Sequence, residues 1–274
     1  MILELGQFTV RLIGKSCFLE NLFPRWNNTK IVENEPIDAV LRIEEAPYIY
    51  SDPANTGWTV GYICGKRSLV YTDGRKALFA LQCEALRNDV VVLVNEAATH
   101  NLRIGVQFGV LLALCEKSFG LHGVTLLCGN EIVILSAPSG TGKTTLAHLL
   151  ETYCDALMIN GDFALLTPTA DGMIFEPTPF CGSSGRCLNH RVKVNRVIFL
   201  EQSKTNEWKN LTGREALKRF MSNIFVPIWD EKMTLVMKRN VMRCISVVPI
   251  HSFAFAPTRE AAEMLFSHLD HYED

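Results

Sequence analysis

Residues 131–153 read EIVILSAPSGTGKTTLAHLLETY, in which an apolar run, a glycine-rich loop and an amphipathic segment follow one another directly. Ile132–Leu135 predicts a buried strand, and Thr144–Tyr153 predicts a helix whose leucines share one face. Between them, residues 137–144 fit the Walker A pattern, with alanine in the place of its first glycine. A strand, such a loop and a helix in this order favour a triphosphate-binding site over a plain connecting turn.

Each residue type in this loop has a chemical reason to be there. Gly140 and Gly142 allow the backbone to turn its N–H groups toward an anion. Lys143 is expected to place its ammonium group on the outer phosphates, and the Thr144 hydroxyl is expected to bind Mg²⁺. We therefore expect ATP and Mg²⁺ as ligands. The predicted nucleotide-binding residues are Ser139, Gly140, Thr141, Gly142, Lys143, Thr144 and Thr145.

The composition excludes several classes of function. The 274 residues are 48% hydrophobic and 20% charged, with a net charge of −2, so an ordinary globular chain of one or two domains is expected without a nucleic-acid partner. Residues 1–10 do not resemble a signal peptide. The apolar run Ile104–Cys115 is shorter than the ~20 residues that a membrane-spanning helix needs, so no membrane partner is expected.

The cysteine pattern predicts a cytoplasmic protein. There are nine cysteines, an odd number, and no CxxC pair occurs among them. Free thiols in a reducing compartment fit this pattern better than a disulfide framework or a zinc site.

The order of the predicted elements divides the chain into two regions. Residues 1–98 form a β-rich region of short apolar or alternating runs, and residues 99–274 form a core around the Walker A loop. The expected fold class is α/β with an α+β-like mixed sheet, because predicted hairpins surround that loop. Within the core we expect a helix near residues 101–118, one long strand over Val192–Leu200 and a capping box at Thr212–Glu215.

Two carboxylates are candidates for the phosphoryl-transfer site. Such a site needs a carboxylate that holds Mg²⁺ or accepts the proton of the attacking hydroxyl, placed at a strand end near the phosphates. Asp162 follows an apolar run eighteen residues after Thr144, and Glu201 closes a second apolar run. Asp162 is also compatible with a simple Asn-Gly-Asp turn, and Glu201 with an exposed residue at the edge of a sheet. The predicted metal ligands are Thr144, Asp162 and Glu201.

A second glycine-rich loop and one histidine complete the candidate set. Thr178–Arg186 places two hydroxyls between glycines and ends in Arg186, which could bind an acceptor or brace the transferring phosphoryl group. His122 directly precedes the hairpin that leads to the Walker A loop. The alternatives are a purely structural Ω-loop and a structural histidine.

Together these motifs resemble those of the HPr kinase-related proteins, which share the phosphoenolpyruvate carboxykinase-like P-loop fold. The motifs are LHG at 121–123, APSGTGKT at 137–144, NGD at 160–162, TPFCGSSG at 178–185 and FLEQ at 199–202. The resemblance spans about residues 100 to 270. It implies a kinase in which Lys143 and Thr144 bind phosphates and Mg²⁺, an aspartate pair supplies the catalytic carboxylate, and a histidine lies close to the site. It also implies a homo-oligomer.

The sequence departs from the family pattern at the aspartate pair. Gly161 stands in the place of the first aspartate, which leaves Asp162 alone. If the missing residue is the general base, then Asp162, Glu201 or His122 takes over its role, or the chemistry differs. The first 98 residues do not match the N-terminal domain of HPr kinase, so HPr does not follow as the acceptor. Related kinases phosphorylate peptide hydroxyls, which favours a serine or threonine of a protein or peptide over a small-molecule hydroxyl.

The sequence thus predicts an ATP- and Mg²⁺-dependent phosphotransferase that moves the γ-phosphoryl group to a hydroxyl acceptor. Its predicted catalytic residues are Asp162, Lys143, His122 and Arg186. One alternative is a nucleotide-binding regulatory protein without catalysis, which the glycine at 161 favours. The other is a carboxykinase-type metabolic enzyme, for which the expected set of metal ligands is not found in the sequence.

Overall fold

The computed structural model of this chain contains two compact units, each with a mixed β-sheet. It describes residues 1–20, 22–23, 26, 36–46, 56–73, 77–84, 86–94, 99–227 and 229–270. One unit consists of Met1–Glu116 and Pro227–Val236, and the other of Lys117–Val226 and Met237–Asp274. The two mixed sheets and six α-helices of the described ranges confirm the mixed α/β class.

The sheet of the first unit has seven strands. They are β1 (Ile2–Leu5), β2 (Phe8–Ile13), β3 (Ala39–Glu45), β4 (Thr56–Ile63), β5 (Lys66–Asp73), β6 (Ala77–Cys83) and β7 (Asp89–Val94). Their order is β1-β2-β3-β7-β6-β5-β4. The three strands β2, β3 and β7 run parallel, and all other neighbours are antiparallel.

Two helices belong to the first unit, α1 (Ser16–Leu19) and α2 (Thr99–Ala113). Two glycines let α2 approach the sheet closely, since a Cβ at Gly105 or Gly109 would lie 2.9 Å from a side-chain carbon of Val92 or Leu41. The unit boundary therefore follows Glu116, whereas the sequence analysis placed it after residue 98. Packing of α2 on β3, β6 and β7 is the reason for this difference.

The sheet of the second unit has nine strands. They are β8 (Phe119–Cys128), β9 (Glu131–Ser136), β10 (Leu157–Asn160), β11 (Phe163–Pro168), β12 (Met173–Glu176), β13 (Val192–Val194), β14 (Arg196–Gln202), β15 (Glu207–Asn210) and β16 (Ile250–Phe255). Their order is β13-β12-β11-β8-β9-β14-β16-β15, and β10 also pairs with β8. The strands β9, β14 and β16 are parallel, which brings their carboxyl ends to one edge.

Four further helices complete the chain. They are α3 (Lys143–Tyr153), α4 (Gly213–Asn223), α5 (Glu231–Val247) and α6 (Arg259–Asp270). Leu146 and Leu150 of α3 are fully buried in one apolar cluster with Leu265 of α6 and Phe253 of β16. The leucine spacing in the sequence therefore identified the buried face of α3 correctly. The capping box predicted at the start of α4 is also present, with Thr212 and Glu215 bonding reciprocally.

The strand predicted over Val192–Leu200 is wrong as a single element. The chain changes partners at Asn195, because β13 pairs with β12 whereas β14 pairs with β9. Asn195 donates its backbone N–H to the Ile132 carbonyl and accepts the Ile132 N–H on its side-chain oxygen, each at 2.8 Å. One polar residue thus redirects an otherwise continuous β-forming run.

Two expectations from composition can be compared with the described ranges. None of the helices there combines the length and the apolar character that crossing a bilayer requires. All nine cysteines lie in described ranges, and none forms a disulfide.

His251 of β16 is a buried histidine of this sheet, paired through β14 with the last residues of β9. It is 5% exposed, its Nδ1 lies 2.9 Å from Asn210 Oδ1, and its ring packs on Trp208 with 4.5 Å between centroids. Burial, and next the charge of Arg196, lower the pKa of His251 from 6.5 to about 4. The imidazole is therefore neutral in the folded chain at neutral pH.

We predict that this histidine makes the fold acid-sensitive. The pKa of His251 is lower in the folded chain than in the unfolded chain. The contribution of the neutral imidazole to the free energy of unfolding is therefore fully present above pH 6.5, and it is lost as the pH falls toward about 4. In the unmodified chain the free energy of unfolding should fall with pH across this range. Urea unfolding should show that this fall is smaller by about 2 kcal/mol in His251→Gln. The exposed His190→Gln serves as the control and should leave the dependence unchanged. Equal pH profiles for His251→Gln and the unmodified chain would contradict the prediction.

Candidate functional site

The 137–144 loop connects the end of β9 to the start of α3. Gly140 and Gly142 both have positive φ, at 81° and 98°, which side-chain-bearing residues rarely adopt. Gly142 is also the N-cap of α3, and no side chain caps the helix there. A Cβ at Gly142 would lie 3.3 Å from the Phe255 ring, so packing as well as conformation favours glycine.

The hydrogen bonds within this loop use its carbonyl groups and leave backbone donors open. Thr141 Oγ1 donates to the Pro138 carbonyl at 2.9 Å, and Gln202 Nε2 donates to the Gly140 carbonyl at 3.2 Å. Within the described ranges, the backbone N–H groups of Gly140, Gly142 and Lys143 have no acceptor. Open donors at a helix N-terminus attract anions, because the helix dipole adds to the hydrogen bonds.

Lys143 carries a buried ammonium group at this helix N-terminus. Lys143 is 7% exposed, and its Nζ donates to the carbonyls of Ala137 at 2.8 Å and Pro138 at 3.1 Å. Burial lowers the pKa of Lys143, while the nearby Asp162 carboxylate acts in the opposite direction. An ammonium group has three N–H donors, so one remains for an anionic ligand or a carboxylate.

Asp162 lies between β10 and β11, which pair with successive parts of the same strand, β8. The strand β10 pairs with residues 125–127 of β8, whereas β11 pairs with residues 119–122. Asn160 Oδ1 accepts the N–H groups of Asp162 at 3.1 Å and Phe163 at 3.0 Å, which shapes the two-residue connection. The Asp162 carbonyl accepts the Gly123 N–H at 2.9 Å, and Gly123 lies opposite Ser136, the last residue before the 137–144 loop. Asp162 is therefore anchored next to that loop.

His122 is brought to the same place by the pairing of β8 with β11. Its Nε2 lies 3.4 Å from Asp162 Oδ1, and both side chains are about 40% exposed, at 39% and 40%. The His122 carbonyl accepts the Ser136 hydroxyl at 2.8 Å, which ties this histidine to the end of β9. Three of the predicted catalytic residues, Lys143, Asp162 and His122, are thus neighbours in the fold.

The 178–186 loop packs directly on the segment that contains Asp162. A Cβ at Gly161 would lie 1.9 Å from Ser184 Oγ, so Ser184 occupies the space that a side chain at 161 would need. Gly182, with φ at 55°, has no room for a Cβ either, because it would lie 2.7 Å from both Cβ and Cγ of Asp162. The glycine at position 161 is therefore a packing requirement in this chain.

The structure directs Arg186 and Glu201 toward other partners. Arg186 forms an ion pair with Glu151 of α3, which is eight residues beyond Lys143, or roughly 12 Å along a helix at ~1.5 Å per residue. Glu201 forms an ion pair with Arg219 of α4. Neither side chain is engaged with the 137–144 loop in this arrangement, because each charge is already compensated by its partner.

The donor set at the loop suits a cation that also binds a ligand. Among the described residues, no group of three or more His, Cys, Asp or Glu side chains could hold a metal ion by itself. Mg²⁺ in enzymes typically takes one or two carboxylates, with phosphates and waters completing its coordination. The exposed Thr144 in the first turn of α3 and the half-exposed Asp162 carboxylate meet this smaller requirement.

Two features of the site were not foreseen from the sequence. Gln202 holds the Gly140 carbonyl, and Gly182 contacts Asp162, although these residues are far apart in the chain. Both lie in motifs that the sequence analysis quoted, FLEQ and TPFCGSSG. Their partners could not be assigned, because the contacts depend on strand order and not on local spacing.

Comparisons with known proteins give a distant structural likeness. No protein-family model matches the chain, and no curated protein sequence matches it. Among solved structures, it is similar to the HPr(Ser) kinase/phosphatase from Coxiella burnetii, with 12% sequence identity and a TM-score of 0.32. The match covers 55% of this chain and 87% of that chain. This is a distant structural relationship.

Proposed function

We propose that this chain is a phosphotransferase that moves the γ-phosphoryl group of Mg-ATP to a serine or threonine hydroxyl of a protein or peptide. The observation that carries the proposal is the convergence of three groups at the 137–144 loop. They are the buried Lys143 ammonium, the open N–H groups at the start of α3, and the Asp162 carboxylate. Positioning and electrostatic stabilisation supply most of the catalysis in phosphoryl transfer, and these are the required groups.

The binding role falls to the loop itself. In this proposal residues 139–145 form a P-loop, in which backbone N–H groups surround the phosphates and Lys143 contacts the outer ones. The ammonium group is already desolvated and held by two carbonyls of the loop, so little reorganisation is needed when a polyanion arrives. The same burial lowers the pKa of Lys143 in the absence of ligand, and phosphate charge would raise it again.

Mg²⁺, when bound with the nucleotide, would neutralise the charge that develops on the phosphates. Thr144 and Asp162 are the residues that would hold it. Glu201, the third predicted ligand, would first have to leave its ion pair with Arg219. Arg186 likewise stays a prediction as a phosphoryl brace, since it would have to leave Glu151.

Asp162 is the proposed proton acceptor for the attacking hydroxyl. Its carboxylate is half-exposed, so an acceptor can reach it, and its backbone is fixed by Asn160 and Gly123. His122 lies beside Oδ1 and would orient the carboxylate. A general base must lie within hydrogen-bonding reach of the proton it removes, and the exposure of Asp162 permits that approach.

A second candidate function is nucleotide binding without transfer. Its support is the packing of Ser184 against Gly161, which leaves no room for the second carboxylate of the pair that the family resemblance implies. The two candidates differ in one measurable respect. A kinase forms ADP and a phosphorylated acceptor from Mg-ATP, whereas a binding protein forms neither.

The first test of the binding role is Lys143→Ala. Removing the ammonium group should lower the rate of phosphoryl transfer by about three orders of magnitude, because the phosphate charge is no longer compensated. Calorimetry with Mg-ATP should show a large loss of affinity as well. Lys218→Ala on the exposed side of α4 is the matched control and should behave as the unmodified chain. Unchanged affinity and transfer in Lys143→Ala would refute the proposed site.

The test of the chemical role is Asp162→Asn. The amide keeps the volume that Gly182 packs against but cannot accept a proton, so transfer should fall by about two to four orders of magnitude. The affinity for Mg-ATP should fall by a smaller factor, because Asp162 is only one of the two proposed Mg²⁺ ligands. Asp171→Asn in an exposed turn is the control. If Asp162→Asn keeps its full transfer rate, another group is the base.

Gly161→Asp tests whether the missing carboxylate can be restored. We expect a loss of about 1–3 kcal/mol in the free energy of unfolding, because the new side chain collides with Ser184. Transfer should fall too, since the loop that contacts Asp162 is displaced. Combining Gly161→Asp with Ser184→Gly makes space and should recover most of the stability in urea titrations. A single variant as stable as the unmodified chain would show that the contact is not limiting.

A further inference from the structure

The proposed base has its two carboxylate oxygens in different surroundings. Oδ1 of Asp162 faces His122, at 3.4 Å from Nε2. Oδ2 faces the 178–186 loop, since a Cβ at Gly182 would lie 3.0 Å from it. The 178–186 loop therefore lies directly beside this second carboxylate oxygen.

This contact is built into the fold by several hydrogen bonds. The Gly161 N–H donates to the Arg186 carbonyl at 3.2 Å, and the Leu188 N–H donates to the Ile159 carbonyl at 2.8 Å. Gly182–Ser184 forms a 3₁₀ turn that ends at Gly185 in the left-handed region. The loop is consequently held with its tip against Asp162.

Two serine hydroxyls lie at this tip, and only one is engaged. Ser184 Oγ donates to the Cys181 carbonyl at 2.7 Å and accepts the Arg186 N–H at 3.2 Å. Ser183 is exposed, and within the described ranges its hydroxyl has no hydrogen-bond partner. Its Cα lies about 3.8 Å from that of Gly182, the residue in contact with the carboxylate. Ser183 thus combines a free hydroxyl with proximity to the proposed base.

We propose that Ser183 is a phosphoryl acceptor within this chain, so that the protein phosphorylates its own 178–186 loop. The inference rests on the proposed function and names one acceptor for it. Ser183 Oγ forms a bond to the γ-phosphorus of Mg-ATP while the bond from that phosphorus to the β–γ bridging oxygen breaks. The hydroxyl proton passes to the Asp162 carboxylate, and ADP leaves. A small shift of the loop tip is sufficient, because the neighbouring residue already touches Asp162.

The test is incubation of the full chain with Mg²⁺ and γ-labelled ATP, followed by intact-mass and peptide mass spectrometry. We expect one phosphoryl group per chain, located on Ser183. The labelled fraction at a given time should not depend on protein concentration, as is required of a reaction within one molecule. Ser183→Ala should lose the label and keep its thermal stability, since this hydroxyl makes no hydrogen bond to the part of the chain that the structure describes. Ser246→Ala on the exposed face of α5 should label normally.

Several outcomes would overturn the inference, and they separate it from the proposed function. Label on another residue, or label that persists in Ser183→Ala, refutes Ser183 as the acceptor. No label in a chain that binds Mg-ATP and phosphorylates an added peptide refutes self-phosphorylation and leaves the proposed kinase intact. No label together with no calorimetric binding of Mg-ATP refutes both. A rate that rises with protein concentration refutes transfer within one molecule.

Discussion

The buried ammonium group of Lys143 is the constraint on which the candidate site depends. A desolvated cation is costly unless polar groups surround it, and here two carbonyls of its own loop do so. Gly140 and Gly142 have positive φ, and within the described ranges the N–H groups of Gly140, Gly142 and Lys143 have no acceptor. The charge, the glycines and the open donors therefore form one interdependent unit.

The second constraint is the position of Asp162 relative to that unit. No local feature of the sequence joins residues 143 and 162, and their proximity arises from the antiparallel pairing of β8 with β9 on one side and with β10 and β11 on the other. The hydrogen bond from Gly123 to the Asp162 carbonyl ties the aspartate to this arrangement. The sheet, and not the glycine-rich loop alone, thus creates the charge distribution that the proposed chemistry uses.

The sequence was most informative where the structure is determined locally. The strand–loop–helix succession around residues 131–153, the buried leucines of α3 and the capping box at Thr212 depend on near neighbours in the chain, and all three are present. The sequence was least informative where the chain passes from one neighbouring strand to another at a single residue. Asn195 divides a continuous β-forming run, and two glycines in α2 attach that helix to the first sheet. Such effects depend on which strand lies alongside, which periodicity does not encode.

The candidate site shows the same division. His122, Lys143 and Asp162 were nominated from residue type and motif order, and the fold brings them together. The ion pairs of Arg186 with Glu151 and of Glu201 with Arg219 were not foreseen, because ion-pair partners are chosen in three dimensions. The reason for the glycine at 161 was not visible in the sequence either. Ser184, twenty-three positions later, fills the space that a side chain at 161 would need.

The connection between β10 and β11 consists of Gly161 and Asp162 alone. One of these residues must stay small, and the other carries the carboxylate, so neither an insertion nor a deletion can be absorbed there without moving the proposed base. Sequence changes that adapt the protein to a different phosphoryl acceptor would therefore have to occur outside this connection. In the 178–186 loop, four of the nine residues are glycine or serine in direct succession, at positions 182–185, and the exposed positions of this loop can change without altering the strands beneath it.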